Sequence, residues 1–353
     1  MKPPRLIRSG WWVAAAAVVL TAGVAAVMLA PVFEHRGAHR TSPDFDLSRS
    51  TVARELTVRA LARDGVHVLT APAMMSASEV DAANEAERGK LLVADDRVIG
   101  VSADGEARAY PLRLLRWHEV VNDTIGGEPI AVTYSPLCDS VAVYSRRLGD
   151  TTIDLGVSGL LYNSNTLLYD RGLGPPASPL WLQLDGRPVA GPDPGRTPHL
   201  PLRVASLTTW SAWRARHPQT TVLAPVADLK TLYKRDPYHS YFGSDLLRFP
   251  VAPLPTDGGL HLKDRVVVVT VDGEDAAFAL PQLAAAGGGP SGSVAVEVGG
   301  AELRIDYRVD PGVAEVTAIG SDSELQSVRY GFWFAWSAIE GTIPVIISGA
   351  GRG

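Results

Sequence analysis

The chain contains one cysteine, Cys138. No intramolecular disulfide can form, and a lone thiol in an oxidising compartment must be buried, bound to a metal or used in chemistry. Two further reactive groups lie twenty residues upstream, in the run His118, Glu119, Asn122 and Asp123. The pattern over 111–122 predicts a helix with Pro111 at its first position and Leu112, Leu115 and Val120 on a buried face. His118 and Asn122 would share one helix face, and Glu119 and Asp123 the next. A Gly126-Gly127 turn and an apolar strand over 130–134 follow, and Pro136 breaks that strand. Cys138 is therefore expected in a turn close behind the histidine-bearing helix.

Three readings of such a trio stand side by side. Thiolate, imidazole and carboxylate suit copper or zinc, held by Cys138, His118 and Glu119 with His239 as a spare ligand. The same catalytic candidates, Cys138, His118 and Glu119, could act as nucleophile, base and orienting acid. The third reading is structural, a small buried cysteine beside a histidine bonded to backbone, in a non-catalytic binding or assembly module at the membrane surface. The spacing matches neither HExxH nor CxxC, so the residues alone leave all three open. A second polar cluster comprises Tyr162, Asn163, Asn165, Asp170 and Arg171, set in an apolar stretch; if buried, these groups need partners and form either a structural network or a polar cleft. The aromatic, turn-rich segment 233–241 reads as a loop over the site.

The surrounding elements are mostly strands. Short Val/Ile-rich runs at 91–93, 98–101, 130–134, 141–144, 222–223 and 266–271, bounded by Gly, Asp and Pro, predict a β-rich α+β fold. Helices are expected at 111–122 and 210–217, the latter stopped by Pro218, with mixed apolar and charged residues at helical spacing also over 51–62. One internal echo stands out. "VIGVSADGEARAYPL" (98–112) and "VVVVTVDGEDAAFAL" (266–280) are each followed by a Gly-Gly turn and an apolar strand, which predicts a duplicated unit of strand, DG turn, strand, short helix, hairpin and strand. Only the first copy carries His118, Glu119 and Cys138, so a scaffold shared by both copies does not account for them.

The N-terminus sets the location. Lys2, Arg5 and Arg8 precede a charge-free run of 24 residues, 10–33. That length crosses about 30 Å of hydrocarbon as a helix, and the basic residues favour an N-terminus in the cytoplasm. A cleaved signal peptide is the competing reading, but the end of the run lacks a good small-x-small site. Either way, the remainder is expected outside the cytoplasm: a linker over 34–64, with a polar tether to residue 50, and a globular domain over 65–350. The net charge of −5 and the absence of a dense basic cluster after residue 33 argue against a nucleic-acid partner. The membrane, through the N-terminal helix, is the one partner the sequence predicts.

Several stretches together resemble the signature of the domain of unknown function 3179 family. They are "RAYPLRLLRWHEVVNDTIGGEPIAVTYSPLCDSVAVY" (108–144), "GVSGLLYNSNTLLYDR" (156–171), "LWLQLDGRPVAGP" (180–192), "TTWSAWRARHPQTTVL" (208–223), "DPYHSYF" (236–242) and the closing "FWFAWSA". The resemblance covers roughly 65–347. It implies a secreted or membrane-tethered protein and assigns no activity. Many members resemble "YCPLCG" at the turn; here Ser135 replaces the first cysteine and Asp139 the glycine. A dithiol mechanism is thereby excluded for this chain alone, whereas a site needing only Cys138 survives.

Overall fold

The computed structural model describes residues 44–86, 90–255, 259–320 and 324–341. The expected membrane helix at 10–33 lies outside them. Among the described residues, no helix is long and apolar enough to cross a membrane.

Among the described residues, four antiparallel-rich sheets (two of eight strands, one of five and one of two) carry a β-rich α+β fold with six short α-helices. Each of two eight-stranded sheets is assembled from both halves of the chain. One sheet joins the hairpin Arg97–Ala103/Glu106–Pro111 and the strand Ser206–Thr209 to a meander of Val313–Ile319, Ala301–Arg308 and Ser291–Val298. The other joins the hairpin Arg265–Val271/Glu274–Ala279 and the strand Leu325–Phe332 to a meander of Ser140–Ser145, Glu128–Ser135 and Val120–Ile125. Hairpin and closing strand of one half thus pair with the meander of the other, reciprocally. The DG turns match (Asp104 and Asp272 at φ 48°), as do the leading glycines of the GG turns (Gly126 and Gly299 at φ 54°).

The two large sheets face each other across one apolar core that includes Ile99, Tyr110, Val132, Val267, Val269 and Ile305. The second sheet is covered on its other side too: Val266 and Val268 pack with Leu160, Leu167 and Leu180 of a five-stranded sheet. A strand buried on both faces must be apolar throughout, which explains the continuous valines at 266–269.

Some local expectations differ from what is observed. The helix expected over 111–122 is Leu112–His118, and Asn122 and Asp123 sit on the strand Val120–Ile125; the β-branched pair Val120-Val121 favours the extended form. Over 51–62 a single 3-10 turn, Arg54–Leu56, leads into the strand Thr57–Arg59, which pairs with Leu160, Leu161 and Tyr162, so tertiary pairing overrides helical spacing. Within the segment expected as a polar tether to residue 50, Phe45 and Leu47 are buried in the second core. No strand forms at 91–93, because the Asn84 side-chain amide satisfies the backbone of Leu91 and Leu92. The second helix, Trp210–Arg216, is where it is expected, capped by the Thr209 hydroxyl.

Candidate functional site

His118 is fully buried at the end of its helix, and both ring nitrogens are engaged. Nδ1 lies 2.6 Å from the His67 carbonyl oxygen and Nε2 lies 2.6 Å from the Tyr233 hydroxyl. A carbonyl only accepts, so Nδ1 carries the proton and Nε2 accepts from Tyr233. Burial lowers the His118 pKa, in keeping with a neutral ring. His118 therefore has no lone pair left for a metal or a thiol, and its hydrogen bonds do not run to Cys138.

Glu119 goes elsewhere because the helix stops on it. Its φ is 55°, uncommon for a residue with a side chain, and its N–H still donates to Leu115 O while its carbonyl accepts from Tyr134 N–H. This reversal separates the neighbours: the Glu119 carboxylate accepts from the Thr166 hydroxyl at 3.0 Å, and Thr166 Oγ1 lies 3.1 Å from Ser135 Oγ. Burial raises the Glu119 pKa to about 7, with the Thr166 hydroxyl opposing. The carboxyl lines a cavity of about 140 Å³ with Ser135, Thr166, Tyr238, Arg248 and apolar walls from Leu137, Leu160 and Leu161.

Cys138 ends the 3-10 turn Pro136–Cys138 and is wholly buried among Leu161, Tyr241, Phe332 and Phe334. Burial pushes its thiol far up, against the lowering effect of Asn165 and Ser135. A thiol buried in this way behind the cavity wall is poorly placed to attack a ligand, which favours the structural reading of Cys138 over the nucleophile. The metal centre expected on Cys138, His118 and Glu119 is also not assembled: His118 is committed to Tyr233 and His67, and His239 is exposed. Among the described residues, no group of three or more His, Cys, Asp or Glu side chains could hold a metal ion.

The second polar cluster divides into structural bonds. Asn165 Nδ2 donates to Ser140 Oγ and to Gln183 Oε1, both at 3.1 Å, and Gln183 Nε2 donates to Thr133 Oγ1 at 2.9 Å. This buried network cross-links the central sheet to the five-stranded one. Asn163 occupies the hairpin turn at φ 48° and bonds Ala252 and Ala338. Asn122 pairs with both backbone groups of Leu155, and Asp123 accepts from Arg108 and Tyr110. Asp170 caps its own turn through Gly172 N–H, Tyr162 is half-buried, and Arg171 is exposed.

The segment 233–241, expected as a loop over the site, instead runs from the 3-10 turn Leu232–Lys234 into the short helix His239–Phe242. Tyr238 forms cavity wall, and the Tyr241 hydroxyl donates to Leu137 O at 2.9 Å. Sequence reading missed Thr166, Arg248 and Gln183; Gln183 had a signal, a single amide inside the apolar run LWLQL. It also missed the role of Asp139. This residue adopts φ 44° and points its carboxylate at Arg97, Arg265 and the Tyr134 hydroxyl. Burial alone would raise Asp139, but the two guanidiniums outweigh it and hold the pKa at about 2. A separate, mostly apolar hollow of about 390 Å³ beside Tyr233 and Leu114 holds none of the other predicted site residues.

No curated protein and no solved structure matches the chain. The pattern of the DUF3179 family, described as a protein of unknown function, matches residues 63–342. With that span well over half of the sequence, the chain belongs to the DUF3179 family.

Proposed function

We propose that this protein is a membrane-anchored, extracytoplasmic domain that binds a small molecule beside Glu119 and exchanges a proton with it. The observation that carries this reading is a buried carboxyl, raised to about 7, lining a cavity of about 140 Å³. A carboxyl poised near neutrality both gives and takes a proton, which suits general acid–base chemistry. Apolar walls with few polar groups suit a small, largely apolar ligand that turns one polar group toward Glu119. Cys138 lies behind this wall and shapes it. Burial and protonation of the thiol favour acid–base chemistry over thiol chemistry.

Carboxyl carbon NMR on glutamate-labelled protein tests the assignment. One resonance, absent in Glu119→Gln, is expected to titrate near pH 7 and to move when a fragment binds Leu137 and Leu160. A Glu119 carboxyl that titrates in the ordinary range, around pH 4 to 5, would remove the proton-exchange role. Absence of any fragment that perturbs these leucines would remove the ligand. The anchoring half of the proposal rests on the charge-free run at 10–33 after three basic residues. Release of the full chain from membranes by alkaline carbonate would sink it.

A further inference from the structure

The two hairpin strands begin alike, "DRV" at 96–98 and "DRV" at 264–266, each seven residues from its arginine to the DG turn. Arg97 and Arg265 are thus equivalent positions of the two units, and both reach the same carboxylate. Arg97 Nη1 lies 3.0 and 2.9 Å from the two Asp139 oxygens, and Arg265 Nε lies 2.6 Å from Oδ2. The equivalent of Asp139 in the second unit is Gly312, thirteen residues after the first glycine of its GG turn as Asp139 is after Gly126. It shares the positive φ, 87° against 44°, and a β-carbon on it would lie 2.6 Å from the Arg265 side chain. Two equivalent arginines therefore share one acid, where a symmetric arrangement would supply two.

The consequence is a guanidinium in a dry place with donors left over. The Arg97 side chain is only 7% exposed, and its Nε and Nη2 are buried without a hydrogen-bond partner. Buried donors left unpaired are destabilising, more so on a charged group, and a ligand acceptor would relieve that. Arg97 and Arg265 line a cleft of about 480 Å³, with Arg116 and the exposed Arg235 also on its walls. Three of the carboxylates on the walls are engaged: Asp236 by Arg116, Asp95 by Arg308, and Asp96 by the Val93 N–H. Asp310 faces Arg265.

We propose that this cleft binds a phosphate-bearing ligand, whose oxygens take the place of the missing second acid between Arg97 and Arg265. Guanidinium forks from several segments suit a tetrahedral dianion with three or four oxygens better than a carboxylate with two. The site is separate from the Glu119 cavity and does not depend on the function proposed for it.

Thermal unfolding of the full chain in detergent, titrated with inorganic phosphate against chloride at matched ionic strength, tests the site. Saturable stabilisation by phosphate is expected. Arg235→Glu, an exposed change that leaves the core alone, is expected to weaken phosphate binding by about tenfold or more. Arg97→Lys keeps the charge facing Asp139 but loses the fork, and is expected to weaken it as well. No phosphate effect beyond chloride, or wild-type affinity in both variants, would overturn the proposal. The source of the phosphate is read by competition. Tighter binding of a soluble short-chain phosphatidic acid than of glycerol phosphate indicates a lipid headgroup, and the reverse indicates a free phosphoester.

Discussion

Glu119 shows how one backbone torsion assigns a role. Two adjacent side chains on a continuing helix would lie on neighbouring faces. Because Glu119 takes φ 55°, His118 goes to Tyr233 and His67 while Glu119 goes to Thr166 and the cavity. The cost is a carboxyl moved out of water, expressed as a pKa raised from 4.5 to about 7. A raised acid binds its proton more tightly in the folded state, so its contribution to stability is present below pH 4.5 and is lost as pH rises through about 7. Glu119→Gln removes that dependence. Between mildly acidic and mildly alkaline pH, the mutant is expected to gain on the wild type by up to roughly 3 kcal/mol. Urea unfolding midpoints at the two pH values measure this, and a pH-independent difference would show that Glu119 titrates normally. Asp139 works in the opposite sense: its depressed pKa contributes stability above 3.8 that is lost as pH falls toward 2. Acid unfolding should therefore begin at the Arg97–Asp139–Arg265 cluster.

Among the elements, the turns carry the most information. The Gly126-Gly127 turn folds back on the preceding hairpin, and a β-carbon at Gly126 would lie 2.9 Å from the Ala103 carbonyl oxygen and from Asp104 Cβ. At Gly127, with φ 73°, a β-carbon would meet nothing within 4 Å. Both substitutions to alanine incur the left-handed backbone penalty of about 1 kcal/mol, and only Gly126→Ala adds a steric clash. Gly126→Ala is therefore expected to destabilise the domain by roughly 2–3 kcal/mol, and Gly127→Ala by about 1. Equal losses in chemical denaturation would show that the hairpin stacking is not under strain. The Pro136–Cys138 turn works on two sides at once: Cys138 enters the apolar cluster with Phe332 and Phe334, and Asp139 emerges toward the arginines.

At the scale of the whole molecule, the reciprocal sheets make the halves inseparable. Each large sheet takes its hairpin from one half and its meander from the other. A fragment ending at Pro255 would expose the edge of the strand Ser206–Thr209, which normally pairs across Leu207 and Ala314, and a meander edge that pairs across Val141 and Tyr330. Unpaired edges beside an open apolar face do not hold a fold. The pieces cut between Pro255 and Gly259 are expected to be unfolded separately and to regain near-UV circular dichroism when co-refolded. Native-like signal from either piece alone would contradict the exchange.

The β-rich class, the DG and GG turns, the helix Trp210–Arg216 and the family are legible from the residues alone. These follow from local periodicity and turn residues, which act over a few positions. Phe45 and Leu47 are not legible as core residues, because their partners lie far along the chain in the folded core. Which side chains meet is set by the folded chain. His118, Glu119 and Cys138 lie close in sequence, yet a positive φ and full burial send them to three different environments. Arg97 and Arg265, 168 residues apart, converge on one carboxylate because two strands from equivalent units flank the same turn. Spacing along the chain carries no term for such convergence, and charge balance appears only once burial has removed water from the pair.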